Sequence, residues 1–106
     1  MLQRNQIDQL VNEIVAGYNP DKIYLFGSYA TGNMSGSSDI DLFVVKETSK
    51  RKIERNREVR RCILNYPLIG LDIVVYTPSE LEEAMHDTVN IGKEAVSTGK
   101  LLYERI

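Results

Sequence analysis

Three aspartates interrupt sequence that is otherwise apolar. Asp39 and Asp41 are two residues apart at the start of an apolar run over residues 40 to 45, and Asp72 lies inside the run Leu-Asp-Ile-Val-Val-Tyr. Side chains two positions apart in a strand point to the same face of the sheet, so Asp39 and Asp41 would lie side by side. Two like charges buried together cost several kcal/mol unless a cation or a proton offsets their repulsion. This spacing predicts a binding site for a divalent metal ion.

The chemistry that such a site favours is displacement at phosphorus. Carboxylate oxygens are hard ligands that suit Mg²⁺ or Mn²⁺, ions that keep several waters and complete their shell with substrate phosphates. If the strand of Asp72 lies beside the strand of Asp41, three carboxylates can hold two metal ions about 3.5 to 4 Å apart. Alternatively, one of the three accepts the proton of the incoming hydroxyl. We therefore predict Asp39, Asp41 and Asp72 as metal ligands and catalytic residues.

A glycine and a serine upstream complement the carboxylates. Gly27 and Ser28 directly follow a short apolar run, where a glycine turn between a strand and a helix points backbone N–H groups and a hydroxyl at an anion. The triphosphate of a nucleotide is the anion that this chemistry requires, so Gly27 and Ser28 are predicted to bind the nucleotide. Ser28 could also cap the following helix.

The D-x-D spacing of Asp39 and Asp41 is weak by itself. With six aspartates in 106 residues, a chance D-x-D is expected roughly 0.3 times per chain. Two other metal or phosphate motifs are excluded by the neighbouring residues. Phe43 and Val44 stand where an EF-hand loop needs an oxygen ligand and a glycine, and no Gly-Lys-Ser/Thr follows Gly27 as a Walker A loop requires.

The elements that must position these residues follow from periodicity and breakers. Apolar residues at helical spacing predict a helix over residues 3 to 18, and the β-favouring runs predict strands over residues 23 to 26, 40 to 45 and 71 to 76. Thr77-Pro78-Ser79-Glu80 is a capping-box start for a short helix that runs to about Met85. Further helices are predicted over residues 49 to 65 and 90 to 98, the second ending at Gly99, and residues 100 to 105 form a tail or an edge strand.

This order of elements predicts one α/β (α+β) domain over residues 1 to 106, with a small mixed β-sheet flanked by helices. We expect helices to cover one face of the sheet and to leave little wall around an exposed metal site. The longest apolar stretches are far shorter than the ~20 residues of a membrane span, and the first residues lack a signal-peptide core. A soluble cytoplasmic protein without membrane contact is expected. The one cysteine cannot form an internal disulfide.

Charge is distributed unevenly along the chain. Residues 46 to 61 contain eight Lys or Arg against three Glu, although the net charge of the whole chain is −2. This basic segment could contact phosphates or an acidic partner, with Arg51, Lys52 and Arg55 as the candidates, but it also fits a solvated helix face. The sequence pI near 5.4 is wrong for a general nucleic-acid binder, so no direct nucleic-acid contact is expected.

The combined spacing resembles a known family. Gly27-Ser28, ten residues, then Asp39-Ile40-Asp41 is the G-S-x(10)-D-x-D signature of the DNA polymerase beta-like nucleotidyltransferases. The sequence around both motifs resembles that of the minimal nucleotidyltransferases, the MNT or MntA group. The strand that contains Asp72 resembles the strand that carries the third carboxylate of that family. Tyr29 and Thr31 depart from many relatives, which carry arginine there.

The resemblance implies a function. It implies Mg²⁺-dependent transfer of a nucleoside monophosphate, AMP from ATP, to an acceptor hydroxyl with loss of pyrophosphate. Members of the minimal group act beside a HEPN-domain toxin as its antitoxin, and some adenylylate that partner on tyrosine. Two alternatives stay open: a non-catalytic antitoxin that neutralises its partner by binding, in a hetero-oligomer, and a small-molecule (antibiotic) nucleotidyltransferase.

Overall fold

The computed structural model describes residues 4–26, 40–63, 71–86 and 91–105. These residues form four helices and four strands. In chain order they are α1 (Arg4–Tyr18), β1 (Lys22–Phe26), β2 (Ile40–Val45), α2 (Lys52–Cys62), β3 (Leu71–Tyr76), α3 (Pro78–Ala84), α4 (Ile91–Thr98) and β4 (Lys100–Glu104).

The four strands form one mixed sheet in the order β3-β2-β1-β4. β1 lies antiparallel to both β2 and β4, whereas β2 and β3 run parallel. Parallel neighbours need a crossover connection, and α2 lies in the connection between β2 and β3. Residues 100 to 105, predicted as a tail or an edge strand, therefore provide the edge strand β4.

Helices pack on both faces of this sheet. On one face, α1 and the C-terminal half of α2 bury the larger core. On the other face, α3 and α4 cover a smaller cluster built on Tyr24, Phe26, Phe43 and Val45, with Ala95 fully buried against it. The expectation that helices would cover only one face was wrong, because both alternating sets of strand side chains are apolar over most of their length.

The predicted element boundaries agree closely with the structure, with one exception. The basic helix was expected over residues 49 to 65 but begins at Lys52 and ends at Cys62. Arg51 has extended backbone angles, and the Thr48 hydroxyl accepts a hydrogen bond from the Lys50 N–H, so the residues before Lys52 form a local turn. Ile63 is also extended and closes the helix.

Specific contacts explain where α3 begins and where α4 ends. The Thr77 hydroxyl accepts from the Glu80 N–H while the Glu80 carboxylate accepts from the Thr77 N–H, which confirms the capping box of α3. At the end of α4, a Cβ on Gly99 would lie 2.2 Å from the Ala95 carbonyl oxygen and 2.9 Å from that of Leu25. Only glycine fits this passage from α4 into β4.

Among the helices that the structure describes, none has the length and apolar character needed to cross a membrane.

Candidate active site

Asp41 and Asp72 lie directly opposite each other in the sheet. They are Cα partners in the parallel pairing of β2 with β3. Adjacent strands are about 4.8 Å apart, so this register makes the two carboxylates close neighbours. Side chains alternate along each strand, which puts Asp41 on the face of Phe43 and Asp72 on the face of Val74, and both of these belong to the smaller core. The condition set by the sequence analysis, that the strand of Asp72 lies beside the strand of Asp41, is therefore met, with both aspartates on the face that carries α3 and α4.

The two aspartates sit at the solvent-facing end of that face. Asp41 is half-buried and Asp72 is exposed, whereas the next residues on the same face are covered by α3 and α4. Phe43, fully buried beside Asp41, packs edge-on against Phe26 at 6.4 Å and Tyr76 at 5.0 Å between ring centroids. This aromatic cluster forms an apolar layer directly beside the two carboxylates, of which Asp72 is exposed to solvent.

Three of the predicted site residues, Gly27, Ser28 and Asp39, lie outside the described residues. Their roles remain predictions from the sequence. The chain leaves β1 at Phe26, whose Cα partner in β2 is Asp41, so Gly27 is bonded to the residue that faces Asp41 across the antiparallel pair. Within the described ranges no three His, Cys, Asp or Glu side chains form a group that could hold a metal ion. A three-carboxylate site therefore depends on Asp39.

The donor chemistry of the paired carboxylates fits magnesium or manganese. Two carboxylates on neighbouring strands offer hard oxygen atoms on an exposed surface, where waters and substrate phosphates can complete a coordination shell. Asp41 and Asp72 would hold the ion together with Asp39. When bound, the ion would neutralise negative charge on the phosphates during displacement.

The free edge of β3 is closed by side chains of α2, a feature that sequence reasoning missed. Arg60 donates to the Leu71 carbonyl at 3.0 Å, Asn56 donates to the Ile73 carbonyl, and Arg60 Nε donates to Asn56 Oδ1 at 2.7 Å. In the sequence these residues read as part of a charged helix face. Only the crossover of α2 over the sheet edge reveals their partners.

Arg55, a candidate for contact with phosphate or a partner, has an internal role instead. It is 6% exposed and makes two hydrogen bonds to the Glu80 carboxylate, at 2.7 and 3.3 Å. It also donates to the carbonyls of Lys50 and Val75. The hydrogen bond from Arg55 lowers the pKa of the Glu80 carboxyl below its ordinary value. Arg55 therefore ties α2 to the start of α3.

The other two candidates of the basic segment also have partners. Arg51 pairs with Glu54 at 3.0 Å, and the Lys52 ammonium lies 4.6 Å from the centroid of the Tyr76 ring. These contacts favour the interpretation of the basic segment as a structural and solvated helix face.

The chain belongs to the family "Polymerase beta, Nucleotidyltransferase", whose sequence model matches residues 9–105. The family and the fold class predicted from the sequence are confirmed.

A known protein with a similar sequence carries the name of an adenylyltransferase. It is 30% identical over 108 residues to a protein of Methanocaldococcus jannaschii named "putative protein adenylyltransferase", covering 95% of this chain and 71% of that protein. This relative supports the assignment of the chain as a nucleotidyltransferase.

Solved structures share the fold. A structure titled as a "putative nucleotidyltransferase" from Sulfolobus solfataricus superposes with a TM-score of 0.67 at 22% identity, covering 95% of this chain and 79% of that one. A toxin–antitoxin structure with AMP-PNP gives a TM-score of 0.59 at 24% identity, covering 98% and 75%. A toxin–antitoxin MntA–HpeT mutant gives 0.56 at 21%, also covering 98% and 75%. At these identities the likeness establishes the fold.

Proposed function

We propose that the chain is a magnesium-dependent adenylyltransferase that transfers AMP from ATP to a hydroxyl of a partner protein. The observation that carries this proposal is the direct pairing of Asp41 with Asp72 across the parallel strands. Two adjacent carboxylates at an exposed sheet end suit an ion that also binds the phosphates of a substrate. The relative named as a protein adenylyltransferase supports a protein acceptor, and the neighbour solved with AMP-PNP supports an adenine nucleotide.

In this proposal the residues have separate tasks. Asp41 and Asp72, with Asp39, hold the ion and set the position of the nucleotide phosphates. Gly27 and Ser28 bind the triphosphate through backbone N–H groups and the hydroxyl. Asp72 is exposed at the end of its strand, where the surface of the acceptor protein can help to hold its hydroxyl in line with the phosphorus atom.

The partner that we propose is a HEPN-domain toxin, modified on a tyrosine, for which this chain acts as antitoxin. Both toxin–antitoxin neighbours support an assembly of this kind. The MntA–HpeT structure carries two aspartate-to-glutamate substitutions two positions apart, the spacing of Asp39 and Asp41 here. That spacing supports a role for the D-x-D pair in the proposed reaction.

The experiment that tests this function measures the mass of the partner. Incubation of the chain with its co-encoded partner, ATP and magnesium should add about 329 Da per transferred AMP to the partner. The Asp72→Asn variant should add none, whereas Glu82→Gln, which neutralises an exposed carboxylate on α3, should act like the wild type. If the wild type silences the partner without changing its mass, and Asp72→Asn silences it equally well, the chain acts by occlusion and the proposal is wrong.

A further inference from the structure

The hydrogen bonds between α2 and β3 concern the strand that carries Asp72. Among the strands that the structure describes, β3 lies at the edge of the sheet, so one row of its backbone groups has no neighbour among them. The outward-facing carbonyls are those of Leu71, Ile73 and Val75, and α2 supplies a donor to each of them, from Arg60, Asn56 and Arg55 respectively. A strand edge is thus closed by the side chains of one helix.

Two of these bonds bracket Asp72. The Leu71 carbonyl belongs to the peptide group that contains the Asp72 nitrogen, and the Ile73 carbonyl is the next outward-facing acceptor. Because outward and inward groups alternate along a strand, the backbone groups of Asp72 face β2. The hydrogen bond from the Lys46 N–H to the Tyr76 carbonyl, at 2.9 Å, shows the same inward orientation for Tyr76 on the β2 side.

The two donors are themselves linked. Arg60 Nε donates to Asn56 Oδ1 at 2.7 Å, which directs the Asn56 amide nitrogen at the Ile73 carbonyl. The carbonyl oxygen of Asn56 is therefore occupied, and its orientation is fixed by Arg60. Both side chains are half-buried, so water competes less for these bonds than it would on an open edge. We name this pair the Asn56–Arg60 clamp.

We propose that the Asn56–Arg60 clamp positions Asp72 against Asp41, so that Asn56 and Arg60 are positioning residues of the nucleotidyl-transfer site. Within the described sheet, Asp41 has a strand on each side, but Asp72 has a strand on one side only. The clamp supplies the second set of restraints that a central strand would receive from its neighbour. Small displacements of a ligand reduce metal affinity and rate, so α2 would affect the site through the backbone of β3. The effect of the clamp on metal binding rests on the proposed function, whereas its effect on the backbone of β3 does not.

The test compares four substitutions on α2, two in the clamp and two controls. Asn56→Leu and Arg60→Met remove the donors of the clamp and keep much of the side-chain volume. Arg57→Met is the matched control, because Arg57 is exposed on the same helix. Arg55→Met provides a second control, since it removes the bond to the Val75 carbonyl, further along the strand from Asp72, and destabilises the fold.

Two readouts are needed. Hydrogen exchange of the Asp72 amide, measured by NMR without metal, should be faster in Asn56→Leu and Arg60→Met than in Arg57→Met. Binding of Mn²⁺ in the presence of AMP-PNP should weaken about tenfold or more in the two clamp variants. In Arg55→Met the affinity should stay near the wild-type value once the unfolded fraction, determined by urea titration, is subtracted.

Each outcome decides something distinct. Unchanged exchange of the Asp72 amide in both clamp variants overturns the clamp itself, whatever the metal does. Faster exchange with unchanged Mn²⁺ affinity overturns its role in the site. A wild-type chain that binds no Mn²⁺ with nucleotide contradicts the proposed function and the metal link together, while the amide exchange still decides whether the clamp orders β3.

Discussion

Asp41 lies between two strands, with Phe26 as its partner on one side and Asp72 on the other, whereas Asp72 lies on the edge strand. The two carboxylates of the proposed site thus have different surroundings: Asp41 is half-buried in the middle of the sheet and Asp72 is exposed at its margin. Because the Asp72 side chain is exposed, its replacement should affect the proposed reaction more than the stability of the fold.

Replacement of either aspartate by asparagine should slow transfer strongly, and for Asp72 it should leave the stability of the fold almost unchanged. Loss of a metal ligand costs several kcal/mol of transition-state stabilisation, so we expect each variant to lower the rate by about a hundredfold or more. Asp72→Asn should leave the free energy of unfolding within about 0.5 kcal/mol of wild type, because the side chain is exposed. Single-turnover assays and urea titrations measure the two quantities. Transfer at the parental rate by Asp72→Asn would contradict its assignment as a ligand.

The Glu80→Gln substitution tests the internal ion pair. Glutamine retains the capping-box acceptor for the Thr77 N–H but leaves the buried Arg55 guanidinium without its counter-charge. Because the Glu80 side chain is 34% exposed, we expect a moderate loss of stability, about 1 to 2 kcal/mol. The double variant Arg55→Met/Glu80→Gln should recover part of that loss. Equal stability of wild type and Glu80→Gln in urea would show that the pair contributes nothing.

The same pair predicts a dependence of stability on pH. The pKa of Glu80 is lower in the folded chain than in the unfolded chain, mainly because Arg55 donates to its carboxylate. Its contribution is therefore fully present above the ordinary glutamate pKa of 4.5 and is lost as the pH falls through the lowered value. The stability difference between wild type and Glu80→Gln should be constant from pH 7 to about pH 5 and shrink below it. A difference that grows on acidification would reverse the assigned sign.

The contact between α1 and α2 at Gly17 and Cys62 predicts a strong coupling. A Cβ on Gly17 would lie 2.6 Å from the Cys62 sulfur and 3.0 Å from the Cys62 Cβ, so either the Cys62 side chain or the two helices must shift. Gly17→Ala should therefore destabilise the wild type. In a Cys62→Ala background, which removes the sulfur but keeps the Cβ, the loss should be smaller, and the helix preference of alanine over glycine, about 1 kcal/mol, offsets part of it. Urea titrations of the four chains form a double-mutant cycle. Additive effects would mean that the Cys62 sulfur does not limit the approach of the two helices.

Tyr18 carries a polar atom that the fold does not satisfy. Its hydroxyl is buried and, within the described part of the chain, accepts and donates no hydrogen bond. Burial, with a smaller contribution from Glu58, raises its pKa to about 12. Tyr18→Phe should leave stability unchanged or raise it by about 1 kcal/mol at neutral pH. Above pH 10, where an unfolded tyrosine ionises but this one does not, the wild type should lose stability that the variant keeps.

Much of the fold could be predicted because the signals were local. β2 and β3 were predicted with the bounds that the structure shows, and the capping box fixed the start of α3. The sequence analysis assumed the pairing of Asp41 with Asp72 and could not predict it, because the residue types do not reveal which strands are neighbours. It is the crossover through α2 that brings these two strands together.

The parts that were missed depend on contacts between distant segments. In the sequence, Asn56 and Arg60 look like solvated residues of a basic helix. Their acceptors are backbone carbonyls, which every residue has, so the residue types do not reveal these hydrogen bonds. The second layer of helices was missed for a similar reason. Both faces of a short apolar strand look alike in sequence, and only the packing of Ala95 against the sheet shows that the second face is also covered.

β1 pairs with β4, where Lys22 lies opposite Glu104, so one strand of the sheet comes from residues that are synthesised after the other three. On the ribosome, β1, β2 and β3 leave the exit tunnel before β4 does. Until residues 100–104 leave the exit tunnel, β1 presents an unpaired row of backbone groups, and open strand edges of this kind attract other chains. The newly made protein therefore passes through a stage in which the strand next to Asp41 is exposed to chaperones and to aggregation.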